Sequence, residues 1–254
     1  KEPLSLRSSP VSLASTIPDF EKHTMKRLIS LMAALVISTT AVHAQQEAES
    51  TQENGNPQVT IHTNRGDIRL ELYPDEAPVS VANFLQYAND GFYDGTIFHR
   101  VIDNFMIQGG GFTADYQKKT TRASIQNEAD NGLSNARGTL AMAKVGGDPD
   151  SATSQWFINL ADNFANLDVT NGGYTVFGDV LNIGMVVVDS IASLPIYNRT
   201  DIHSAFGELP LIDFVTDPIE NNNLVKINSS KDYAVVIYQP QQFLHCRSRC
   251  CGAF

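Results

Sequence analysis

Apolar residues alternate with polar ones twice near the start of the patterned region. Val59, Ile61 and Thr63 share one face, and Ile68, Leu70 and Leu72 do the same after Asn64-Arg65-Gly66-Asp67. Successive strand side chains point to opposite faces, so two such runs around a Gly-containing turn predict an antiparallel hairpin. Pro74 and Pro78 then break the alternation, and Val81, Phe84, Leu85 and Ala88 recur at the spacing of one helix face. Pro78 suits the first turn of that helix and Gly91 its stop. Short β-rich runs follow between Gly, Asn and Asp, at 96–102, 105–108, 139–142, 156–159 and 175–180. Met185, Val188, Asp189 and Ala192, with Val187 and Ile191, mark a second helix that ends before Pro195. Residues 194–228 are rich in Asn and Asp and read as loop, and 233–238 read as a last, strongly β-branched and aromatic strand. Many short strands with two helices point to an antiparallel barrel or sandwich rather than an α/β sheet.

The flanks read differently. Met25-Lys26-Arg27 opens a basic region, residues 28–37 are apolar, and small and polar residues lead to Val42-His43-Ala44. The apolar run is shorter than the ~20 residues a bilayer-spanning helix needs. The small-x-small ending predicts a signal peptide over 25–44, cleaved after Ala44, rather than a membrane anchor or a buried helix. Residues 1–24 precede Met25 and are expected to be non-native or disordered, 45–57 to be a linker, 58–240 to be the folded domain, and 241–254 to be a disordered extension.

Composition narrows the function classes. Apolar residues make up 42% of the 254 and charged residues 18%, enough for a packed core. Residues 45–240 carry 11 Lys and Arg against 25 Asp and Glu, a net of −14, which disfavours a nucleic-acid partner. Cys246, Cys250 and Cys251 are the only cysteines, so the domain has neither a disulfide framework nor a catalytic thiol. With His245 they fit no zinc spacing, and His23, His43, His62, His99, His203 and His245 show no i, i+4 pair, so no metal is expected. Gly109-Gly110-Gly111 lacks the Lys-Ser/Thr of a phosphate loop, and a conformational need for glycine is the better reading.

The specific signal is the run Phe98-His99-Arg100-Val101-Ile102-Asp103-Asn104-Phe105-Met106-Ile107-Gln108-Gly109-Gly110. With Gly138-Thr139-Leu140-Ala141-Met142-Ala143, then Ser151-Ala152-Thr153-Ser154-Gln155-Trp156-Phe157-Ile158-Asn159, and finally Val176-Phe177-Gly178, it resembles the cyclophilins in order and spacing, most of all the secreted bacterial ones. The resemblance runs from about Val59 to Tyr238. It implies a mostly β fold, an eight-stranded antiparallel barrel capped by two α-helices, with the active groove on its outer surface. It also implies a peptidyl-prolyl cis-trans isomerase that needs no cofactor and works in the periplasm as a monomer on proline-containing unfolded or flexible chains.

That chemistry breaks no bond. Amide resonance opposes rotation with a barrier of about 18–20 kcal/mol, and X-Pro bonds exchange in tens to hundreds of seconds. Lowering the barrier by about 7–8 kcal/mol gives an acceleration on the order of 10⁵–10⁶-fold. In the twisted amide the nitrogen regains its lone pair and can accept a hydrogen bond, which a guanidinium can donate. The resemblance gives Arg100 that role, and gives Gln108 the tasks of bonding the substrate backbone and orienting the arginine. Phe105, Met106, Phe157 and Leu167 match the apolar pocket for the proline ring, Ala143 and Gln155 match groove positions, and Lys144 stands where the family contacts the substrate through its backbone, so its side chain matters less. Taken singly, Phe105, Met106 and Phe157 read as core, as most such residues are; the order of the motifs taken together reverses that. His99 adjoins Arg100, and strand alternation places it on the opposite face as a structural residue. The chain departs from the family at two points: Asn166-Leu167 lacks the frequent Trp, with Phe164 the nearest aromatic, and Tyr174 stands where His is common. The first departure implies weak cyclosporin binding. A non-catalytic peptide-binding or chaperone module on the same barrel is the rival reading, and a structural envelope protein a more distant one.

Overall fold

The hairpin forms where the alternation puts it. In the computed structural model, which describes residues 55–228, β1 (Gln58–Thr63) pairs antiparallel with β2 (Gly66–Leu72), Val59 opposite Leu70 and Ile61 opposite Ile68. These four side chains are buried, and they start the main core. The other strands of the sheet are β3 (Arg100–Ile102), β4 (Met106–Gly109), β5 (Thr139–Met142), β6 (Trp156–Asn159) and β7 (Val176–Val180). Their order is β1-β2-β7-β5-β6-β4-β3, antiparallel throughout.

Two open edges remain, at β1 and β3, and a segment read from the sequence as loop links the end of β1 to residues 96–98, just before β3. Residues 224–227 bridge Thr63 through Ile227 and Ile97 through Lys226. Phe98 N donates to Val225 O at 3.0 Å, Ile227 N to Thr96 O at 2.8 Å, and Asn64 N to Lys226 O at 3.1 Å. Leu224, Val225 and Ile227 are buried. The sheet thus has seven strands where eight are expected; this segment covers the end of β1 and the chain just before β3, and Val101 N of β3 itself donates to Glu208 O, so these edge groups are not left unpaired. The strand expected at 233–238 lies outside the described residues, as do the signal peptide, the linker up to residue 54 and the C-terminal extension.

α1 (Pro78–Asn89) begins on Pro78 as expected and buries Val81, Phe84, Tyr87 and Ala88 against the core. α2 (Phe164–Leu167) is a single turn, too short for a periodic signature. α3 (Gly184–Ala192) buries Val188 and Ile191. A two-stranded ribbon, β8 (Ile196–Tyr197) with β9 (Leu209–Pro210), organises part of the expected loop. Phe206, Leu209, Leu211 and Leu224 form with Ile97 and Phe112 a second, smaller core. Residues 194–228 are thus mostly turns and bends, as the sequence suggests, but they are pinned by these few buried side chains, which their Asn and Asp content concealed.

Candidate functional site

The period of two sends neighbouring residues of each central strand to different places. Val101, Ile107, Leu140, Met142, Trp156, Ile158 and Phe177 belong to the main core. Met106, Ala141, Phe157 and Val176 form a separate outer cluster with Leu167, and Ile102, Phe105, Ala143 and Tyr174 pack on it. The register lines the outer residues up across five strands. Arg100 faces Gln108, Gln108 faces Phe157, Phe157 faces Ala141, and Ala141 faces Val176. One end of this row is cationic, the middle is amide, and the far end is apolar.

Over the row lies a hollow of about 110 Å³, lined by Arg100, Phe105, Met106, Gln108, Ala143, Lys144, Phe157, Leu167 and Tyr174. At roughly 30 Å³ per water it has the capacity of three or four waters, the size class of a five-membered ring. Nine of the ten residues expected from the sequence thus share one hollow. The tenth, Gln155, stands beside it, its Oε1 accepting from Gln108 Nε2 at 2.9 Å, and it lines an adjoining hollow of about 160 Å³. Tyr174 meets Phe157 edge to face at 5.9 Å. Lys144 lines the hollow with its ammonium already engaged: its Nζ donates to the carbonyls of Asn171 and Gly173 and lies over the Tyr174 ring. Burial lowers its pKa, with Asp150 and Asp148 opposing. The only Trp of the sequence, Trp156, is fully buried in the core, so the groove has no tryptophan wall.

Two expectations need correction. Gln108 does not hold the arginine here, because its amide is engaged by Gln155. Arg100 is instead held by Glu208, Nε to Oε2 at 3.0 Å. Nothing in the sequence pattern marked Glu208, which comes from the stretch read as loop. His99 does not point away from Arg100 either. Its N–H donates to Gln108 O at 3.1 Å while Arg100 is the register partner of Gln108, so two residues face one, as in a β-bulge. The extra residue suspends the alternation, and both side chains line one larger cavity of about 530 Å³ beside the row.

The structural reading of His99 holds. Its ring is buried, 4.8 Å from that of Phe112. Burial lowers its pKa from the usual 6.5 to about 3; a hydrogen bond to the Ile97 backbone opposes this, and the charge of Arg100 reinforces it. As pH falls through 6.5 the unfolded chain takes up a proton that the folded chain refuses, so this contribution to stability is complete above 6.5 and is lost towards about 3. The thermal midpoint is expected to drop between about pH 7 and pH 5, and His99→Phe to flatten that drop. An equal slope in the variant would count against it.

Gly110 supports the conformational reading of the glycine run. It sits at φ +81°, and a Cβ there would lie 2.8 Å from Ser154 O and 2.9 Å from Trp156 Nε1. Among the described residues no three His, Cys, Asp or Glu side chains gather as a metal site, and no helix is long and apolar enough to cross a membrane.

Residues 58–206 match the family model of the cyclophilin type peptidyl-prolyl cis-trans isomerases. A peptidyl-prolyl cis-trans isomerase of Acinetobacter baylyi is 51% identical over 172 residues, which cover 67% of this chain and 84% of that one. Peptidyl-prolyl cis-trans isomerase B of Escherichia coli is 47% identical over 165 residues, covering 63% and 97%. A crystal structure of a Cryptosporidium parvum cyclophilin type isomerase, determined in the presence of the dipeptide Ala-Pro, aligns with 68% of this chain and 99% of its own at 27% identity and a TM-score of 0.47.

Proposed function

The chain belongs to the cyclophilin-type peptidyl-prolyl cis-trans isomerases, and from that we propose that Arg100 drives X-Pro rotation by donating a hydrogen bond to the proline nitrogen of the twisted amide. The single observation that carries this is the row itself, a guanidinium at the mouth of an apolar hollow of ring size. The hollow between Met106, Phe157 and Leu167 receives the proline ring and fixes it, while the preceding residue and its carbonyl rotate. In the planar amide the nitrogen offers Arg100 nothing; when the amide leaves its plane the lone pair returns and the bond forms. The interaction is therefore specific to the transition state and raises turnover. Gln108 and Gln155, bonded to each other, present amide groups to the substrate backbone from the middle of the row. The step breaks no bond and uses no cofactor. A non-catalytic binder would need the hollow and have no use for a guanidinium at its edge.

The clients are extended proline-containing segments of exported chains, met in the periplasm after cleavage behind Ala44 and bound by the monomer; the basic, apolar and small-residue sequence of 25–44 supports this placement. Slow prolyl steps limit folding, so such a catalyst has a use there. Titrating isotope-labelled protein with a short Ala-Pro peptide is expected to shift the amide signals of Met106, Gln108, Ala143 and Phe157 first. Shifts centred away from these residues would refute the assignment of the groove.

A further inference from the structure

We infer that Glu208 is a positioning residue for Arg100, and that the stretch 194–228 contributes to turnover through it; this rests on the role proposed for Arg100. The two side chains come from separately anchored pieces of chain. Arg100 is fixed in β3 against β4. Glu208 lies between Phe206 and Leu209, both fully buried in the second core. Its carbonyl accepts from Val101 N at 2.9 Å, which ties the main chain beside β3. The carboxylate then needs only its own few torsions to meet the guanidinium.

Where it binds matters more than how strongly. The arginine and glutamate side chains are 36% and 43% exposed, and such a pair adds little to stability. Glu208 takes the Nε–H, one of five donors on a planar group. That contact sets the orientation of the guanidinium plane and leaves both terminal nitrogens free for the substrate. Gln108, the residue opposite Arg100, is occupied with Gln155 and supplies no such restraint. Without Glu208 the guanidinium would sample orientations in which its donors miss the proline nitrogen, and fewer encounters would be productive.

The test compares Glu208→Ala and Glu208→Gln with Arg100→Ala in an isomerisation assay on a short X-Pro peptide. Glu208→Ala should lower kcat about three- to tenfold, the scale of one lost hydrogen bond, with KM within about twofold. Glu208→Gln keeps an acceptor oxygen and should recover most of the loss. The Nε–H signal of Arg100 should be sharp and slowly exchanging in the parent and the Gln variant, and lost in the Ala variant. A kcat for Glu208→Ala that is unchanged or raised overturns the inference, as does a fall that the Gln variant shares in full. If Arg100→Ala is inactive while Glu208→Ala keeps its kcat, the positioning role alone fails. If Arg100→Ala keeps its activity, the parent reading fails.

Discussion

Arg100→Ala should lower kcat/KM on an X-Pro peptide by about 10²–10³-fold, the usual cost of removing one donor aimed at a transition state. The fold should be unaffected. The side chain is 36% exposed and its ion pair is with a half-exposed glutamate, so its loss removes little that holds the barrel together. The melting temperature and the circular dichroism spectrum should therefore match the parent. Arg100→Lys should recover only part of the loss, because an ammonium keeps the charge but not the planar fork. Full turnover in the alanine variant would remove the mechanism, whatever the fate of the groove.

The second large effect separates two adjacent residues. Trp156 and Phe157 are neighbours in β6, yet they belong to different clusters. Trp156 is fully buried, with its ring edge-on to Phe98 at 5.6 Å, Tyr93 at 6.2 Å and Phe84 at 6.3 Å. Trp156→Ala should cost about 3–5 kcal/mol, against a total of about 5–15 kcal/mol for a typical domain. At roughly 2–4 °C per kcal/mol the midpoint should fall by something like 6–20 °C. Phe157 lines the hollow, so Phe157→Ala should act mainly on substrate, raising KM about tenfold or more for the loss of an apolar wall. Thermal melts and peptide kinetics on both variants check the division. A Trp156 variant with normal stability and raised KM would mean that the faces of β6 are reversed.

Much of this arrangement could be read in the sequence, and the reasons are local. The hairpin, α1 and the central strands follow from periodicity, which depends on backbone geometry alone. The groove residues followed from resemblance to a family, and the register then explains their meeting: Arg100, Gln108 and Phe157 stand in line because β3, β4 and β6 stay in step from the Arg100–Gln108 pair onward, with the bulge just before it at His99. The failures are non-local. His99 was misplaced because a bulge adds one residue against Gln108, and alternation cannot anticipate that. Glu208 was missed because the bond to Arg100 spans 108 residues and no spacing rule covers it. Residues 224–227 read as loop because they bond to chain far upstream and not to each other.

That closing segment has a consequence for how the chain is made. The side chain of Asn64 donates to Leu224 O, a partner 160 residues downstream. On the ribosome, the outer edge of β1 waits without its mate until nearly the whole domain has emerged. Such distant pairing is slow to form, and a waiting strand edge invites adhesion to other nascent chains. The domain is thus a late finisher, its first strand left without a neighbour at one end until residues 224–227 are made.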